Sequence, residues 1–202
     1  MTDFFVKGGV LMWPILFCSA IGLAIFMERI VRFATMKKRG AGLSEKVARL
    51  WIEGKEKDAC AEAEASDSPM GRILVKAMDV KNLDREMLET VIVSATDEEI
   101  RDMSTYIQAL ATIGNIAPLL GLLGTVIGMI KAFMVIQNMG GKVNSAVLAG
   151  GIWEAMLTTA FGLAVALPVM VAHSYLTNRI EAYEARLQEG SVVFMKALCG
   201  GK

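Results

Sequence analysis

Between Asp102 and Lys131 the chain carries no charged side chain for about 28 positions, and this stretch limits the fold more than any other feature. As a helix rising ~1.5 Å per residue it is ~42 Å long, more than the ~30 Å hydrocarbon core of a bilayer requires. Two further stretches have the same character. Between Lys7 and Glu28 about 20 positions lack charge, and from Val143 to Asn178 the only formally charged residue is Glu154. Hydrophobic residues make up 54% of the 202 positions and the mean hydropathy is +0.47. One small core cannot hide that much apolar surface. The expectation is an all-α membrane protein with three transmembrane helices. Spans two and three are long and extend into a helical cytoplasmic region.

The first stretch differs from a cleaved secretory signal. Asp3 as well as Lys7 precedes it, and Arg29, Arg32, Lys37, Lys38 and Arg39 follow at once. It reads as a retained anchor. The same basic cluster sets orientation, because Lys and Arg beside a span stay in the cytoplasm. The expected organisation is a periplasmic N-terminus and span one over 1–33, and a cytoplasmic helical segment over 34–105. Span two covers 106–137, a short periplasmic loop 138–146, span three 147–176, and a cytoplasmic C-terminal helix 177–202.

The formal net charge is zero, so bulk charge gives no reason to expect nucleic acid as a partner. Cys18, Cys60 and Cys199 are too few and too scattered for a disulfide framework. His173 is the only histidine, so no histidine cluster can bind a metal, and no cofactor is expected. Gly121, Gly124 and Thr125 lack the lysine of a nucleotide-binding loop and lie inside a span. No nucleophile–base–acid arrangement is visible, so the chain is not expected to be an enzyme.

In the cytoplasmic segment Val47, Leu50 and Trp51 have amphipathic helical spacing. Ser66, Asp67, Ser68 and Pro69 form a break with turn chemistry. Ile73, Leu74, Ala77 and Met78 share a helix face. Asn82 or Asp84 can cap a further helix carrying Met87, Leu88, Val91 and Ile92 on one side. No strong breaker occurs from Arg85 to Ile116, which predicts one helix running into span two. Asp97, Glu98, Glu99, Arg101 and Asp102 read as a solvated or inter-subunit face.

Span two places Ala111, Gly114, Pro118, Gly121, Thr125, Gly128 and Ala132 at spacings of three and four, along one face. Such a face lets another helix approach closely in lipid. Thr125 is its only hydroxyl. Spacing leaves two readings open, a packing seam with a threonine bonded to its own backbone or a polar station on an ion path. Span three carries Gly151, Ala155, Thr158 and Gly162 on a small face, with Glu154 and Thr159 beside it. An ionisable residue inside a span is a functional candidate. Counted from an outer loop centred near Lys142, Thr125 and Thr159 fall at matching depth. Lys131 and Glu154 match in the same way, so an ion pair between them is an alternative role for the acid.

The run ATIGNIAPLLGLLGTVIGMIKAF at 111–133 resembles span two of the ExbB/TolQ/MotA proton-channel family, and GGIWEAMLTTAFGLAVALP at 150–168 resembles its span three. Gly8, Gly9, Met12, Trp13, Pro14, Glu28 and Arg29 make the first span most like ExbB. The resemblance covers essentially the whole chain. It implies a proton channel of the bacterial inner membrane, built as a homopentameric ring around a dimer of single-span partners of the ExbD or TolR type. Together they would energise outer-membrane transport through a TonB-like protein. By motif match Thr125 and Thr159 correspond to hydroxyls lining the proton path and Glu154 to the acid of the pore wall. Helical spacing alone would put Thr158 under Glu154, so Thr158 stays a candidate. Gly114, Pro118, Gly121, Gly128 and Gly162 are the expected helix-packing positions. The hydroxyls do not titrate near neutral pH, so the shuttling carboxylate is expected from the partner. Shared motifs do not separate this role from that of a TolQ-like subunit serving envelope integrity. A passive membrane scaffold and a membrane-embedded enzyme are the rivals from other classes.

Overall fold

The computed structural model describes residues 9–40, 42–138 and 145–200. Among them are seven helices and no strand: α1 (Met12–Arg39), α2 (Leu43–Ile52), α3 (Glu56–Ala65), α4 (Pro69–Asp79), α5 (Arg85–Ser104), α6 (Ile107–Asn138) and α7 (Ser145–Gly200). Three helical stretches are long and apolar enough to cross a membrane, Met12–Met36, Arg85–Asn138 and Leu148–Gly200. The fold is therefore an all-α membrane protein. With 56 residues α7 is far longer than a bilayer needs. Most of the expected outer loop, including Lys142, lies outside the described residues.

The chain forms two compact units, with boundaries after Met27, Thr105 and Tyr175. The first holds the start of α1, all of α6 and the first part of α7. Its centre is a seam between α6 and α7, where Gly114, Ala117, Gly121, Gly124, Gly128 and Ala132 are buried. A Cβ added to Gly121 would lie 2.9 Å from the Thr159 Cα, and one added to Gly128 would lie 2.8 Å from the Ala155 Cβ. Glycine is required here because backbone meets backbone. On α1, Gly22 sits against Val169 and Leu110. Met12 and Ile15 are buried at its start. The outer faces are the reverse of a soluble protein's. Trp13, Phe17 and Leu23 on α1, Leu119, Leu122 and Phe133 on α6, and Trp153, Leu167 and Val171 on α7 are all exposed. Lipid or another protein must cover so large an apolar surface.

The second unit is a helical bundle with a water-type core. Val47, Ala59, Ile73, Leu74, Leu88, Ile92, Leu187 and Phe194 pack together. Trp51 meets Phe194 edge to face at 5.8 Å. Local chemistry explains the helix ends. Gly54, at φ 77°, separates α2 from α3. The Ser68 hydroxyl accepts from the Gly71 N–H at 3.1 Å, with Pro69 in the first turn of α4. Of the two expected caps for α5, Asp84 performs the role, accepting from the Met87 N–H at 3.3 Å.

Two expectations need correction. The helix from Arg85 is not continuous to Ile116. It stops at Ser104, and Tyr106 has φ 62°, in the left-handed region. No glycine or proline causes the stop. Ser104 and Thr105 hydroxyls donate to the Ile100 and Arg101 carbonyls, at 2.8 and 3.3 Å. The Arg29 guanidinium, only 1% exposed, donates to the Met103 carbonyl at 3.4 Å. The Met103 carbonyl, which would otherwise need a further turn of helix, is thus satisfied by Arg29, while the two hydroxyls share carbonyls that their own helix already uses. The second correction concerns the acidic string at 97–102. Glu99 is buried, not solvated, and accepts two hydrogen bonds from Arg72, one from Nε at 2.6 Å, tying α4 to α5.

Candidate functional site

The candidate hydroxyls and acid all lie on the α6/α7 hairpin of the first unit. Which of them touch is decided by the register of the seam. Gly114 meets Met170, Gly121 meets Thr158 and Thr159, Gly124 meets Thr158, Gly128 meets Ala155, and Ala132 meets Gly151. The helices therefore run antiparallel, and the small residues of one face those of the other.

Thr159 joins the two helices. Its hydroxyl donates to the Gly121 carbonyl across the seam at 2.8 Å. Gly121 lies one turn from Thr125, so the bond does not run between the two threonines. The Thr125 hydroxyl, half-buried, donates to the Leu122 carbonyl of its own helix at 2.6 Å. Thr158 is 2% exposed and donates to the Glu154 carbonyl at 3.0 Å, its methyl side against Gly124. A hydroxyl that donates one bond still has oxygen lone pairs that can accept another.

Glu154 is half-buried and stands one residue before Ala155, which is wedged against Gly128. Among the described residues no ion pair joins it to Lys131, whose side chain is exposed. Its carboxylate instead lies beside Gly9, in the turn that precedes α1.

The packing positions Gly114, Gly121, Gly128 and Gly162 are buried, and Pro118 is half-buried at the margin. Gly162 is the tightest, since an added Cβ would lie 2.6 Å from the Ala117 carbonyl oxygen. Ala117 and Gly124 belong to the seam and were missing from the stripe read off the sequence. The columns 114/117/121/124/128 and 114/118/121/125/128 share three members, and the sequence offers no measure of which is central. The weak available signal is the pair Gly124 and Gly128, four apart.

Comparison with known proteins agrees with this architecture. Residues 65–189, more than half of the chain, match the family described as the MotA/TolQ/ExbB proton channel family. The chain is 30% identical to the biopolymer transport protein ExbB of Salmonella typhimurium, over 92% of this chain and 78% of that protein. It is 30% identical to an ExbB homolog of Methanothermobacter thermautotrophicus over 90% of this chain, but spans only 64% of that relative's length. A Tol-Pal system protein TolQ of Haemophilus influenzae is 36% identical over 45% of this chain and 39% of its own length.

Proposed function

Because this chain belongs to the MotA/TolQ/ExbB proton channel family, which is not a family of enzymes, we propose that it is the channel-forming subunit of a motor driven by the proton-motive force. In this reading it sits in the inner membrane with its N-terminus periplasmic and its C-terminus cytoplasmic. Identical copies form a ring, a pentamer by resemblance, around a single-span partner of the ExbD/TolR kind, and the ring energises outer-membrane transport through a TonB-like protein. One observation carries the reading. The apolar α6/α7 hairpin holds Thr159 bridging its helices, Thr125 one turn from the bridge, and Glu154 beside the same seam.

The division of labour follows from acidity. Threonine hydroxyls relay a hydrogen bond by rotation without titrating, so they can hold water or pass a proton along a dry wall. Glu154 is the acid of this span, and it serves the path or the partner. The partner's span supplies the shuttling carboxylate. The likeness to a TolQ protein keeps a second reading in play, a subunit for envelope integrity with the same channel chemistry.

The test replaces Thr125 or Thr159 by valine, which keeps the shape and removes the hydroxyl. Both variants are expected to insert, assemble and co-purify with the partner, yet fail to support growth that depends on energised uptake. Serine at either position retains part of the activity. Normal growth of both assembled valine variants sinks the proton-path role. Complementation of a TolQ-deficient strain but not an ExbB-deficient one selects the second reading.

A further inference from the structure

We propose that Gly9 is a positioning residue for the Glu154 carboxylate, holding the turn before α1 directly over the acid. Two features of Gly9 bear on what a side chain there would do to the acid. Its φ is 73°, in the region that L side chains rarely adopt. A Cβ built there would lie 2.7 Å from Glu154 Oε1 and 3.8 Å from Cδ, closer to the oxygen than real Cβ atoms come. The space beside Gly9 is already occupied by the carboxylate.

Both sides of this contact are anchored. The Gly9 carbonyl accepts from the Met12 N–H at 3.2 Å, which closes the turn onto the first residues of α1. Met12 and Ile15, just beyond it, are buried within the same unit, so the turn cannot slide along the helix axis freely. On the other side, Ala155 packs on Gly128 and the Glu154 carbonyl accepts from Thr158, so the backbone of the acid is fixed by the seam. A glutamate has several rotatable bonds and loses freedom only where something confines its tip. Gly9 meets that tip. That the confinement matters for proton movement rests on the reading given under Proposed function. The contact itself does not.

The experiment uses the full chain in mild detergent and measures the rate at which a water-soluble carbodiimide with a small amine modifies Glu154, read by mass spectrometry. Gly9→Ala places a methyl group where Glu154 Oε1 lies, so the flexible carboxylate tip must swing away from the turn, and that release is expected to raise the rate by about threefold or more. Val10→Ala, on an exposed neighbour of the same turn, leaves it unchanged. In a Glu154→Asp background the shorter acid withdraws by one methylene and clears the methyl, so Gly9→Ala there produces no comparable rise. Equal rates for Gly9→Ala and wild type, or an equal rise in both backgrounds, overturns the proposal. Should Gly9→Ala fail to fold, a second variant still decides. Glu154→Ala removes the carboxylate and leaves Gly9 untouched, and it is expected to speed amide hydrogen exchange over residues 9–12 of the full chain, whereas exchange equal to that of wild type overturns the placement. Neither measurement depends on energised uptake, so a wrong motor assignment and a wrong role for Gly9 give different results.

Discussion

Thr159 and Glu154 carry the account at the scale of single residues, and they are held in different ways. Thr159 spends its donor on a carbonyl of the neighbouring helix, while Glu154 has its backbone fixed by the seam and its tip confined by a glycine turn. The ion pair with Lys131 that loop counting allows is not formed among the described residues. This yields a prediction. Were the acid only neutralising Lys131, Glu154→Gln combined with Lys131→Gln would restore work lost in Glu154→Gln alone, since the unpaired cation would be gone. The double variant is expected to remain as inactive as the single one in the uptake-dependent growth assay. Recovery would make Glu154 a structural counter-ion. At this scale the sequence was legible in kind but not in phase. Small residues three and four apart announce a close helix approach, yet columns through Ala117 and Gly124 or through Pro118 and Thr125 satisfy the same spacing. Only the facing helix, through Thr158 and Ala155, selects the first.

Helices and their ends show where local signals suffice. Ser68 with Pro69, and Asp84 ahead of an apolar face, were readable because a cap is made by neighbours in sequence. The stop at Ser104 was not, because part of it is made by Arg29, 74 positions away. The pair of Arg72 and Glu99 is hidden for the same reason, inside a string of charges that otherwise reads as solvated. Glu99 is nearly buried whereas Arg72 is about half exposed, and the Glu99 carboxylate beside it holds the guanidinium charged more firmly than usual. The two partners should therefore differ in what their loss costs. Arg72→Met strands a buried carboxylate and is expected to destabilise by about 2–4 kcal/mol. Glu99→Gln leaves an arginine that water can reach and is expected to cost about 1 kcal/mol. Thermal melting in mild detergent checks the order. Equal melting temperatures for the two variants would contradict the placement of Glu99.

For the molecule as a whole, three long apolar stretches with one embedded acid made a three-span membrane protein legible from charge spacing alone. What lies beyond the chain, the proposed ring and its proposed partner, was legible only through family resemblance, because a single copy leaves such surfaces bare. Orientation is proposed from the basic flank after span one, and it calls for a well-chosen reporter. Cys60 is a poor one. It is partly buried, and that burial, with the Glu64 carboxylate 3.6 Å away, pushes its thiol above the usual value. It would react slowly at neutral pH on either side of the membrane, and faster as the pH rises. Lys57→Cys is exposed and answers the question directly. In intact cells it is expected to be protected from an impermeant maleimide, while Thr2→Cys is labelled. The opposite pattern would invert the topology.

In the proposed mechanism protons cross the wall formed by α6 and α7 with the help of their hydroxyls. The decisive measurement is proton flux into liposomes holding the chain with the proposed single-span partner, followed by an internal pH-sensitive dye under an imposed membrane potential. The account predicts flux for the wild-type complex and for Thr159→Ser. It predicts loss to the level of empty liposomes for Thr159→Val incorporated and assembled to the same extent. Undiminished flux through the assembled Thr159→Val complex would contradict it.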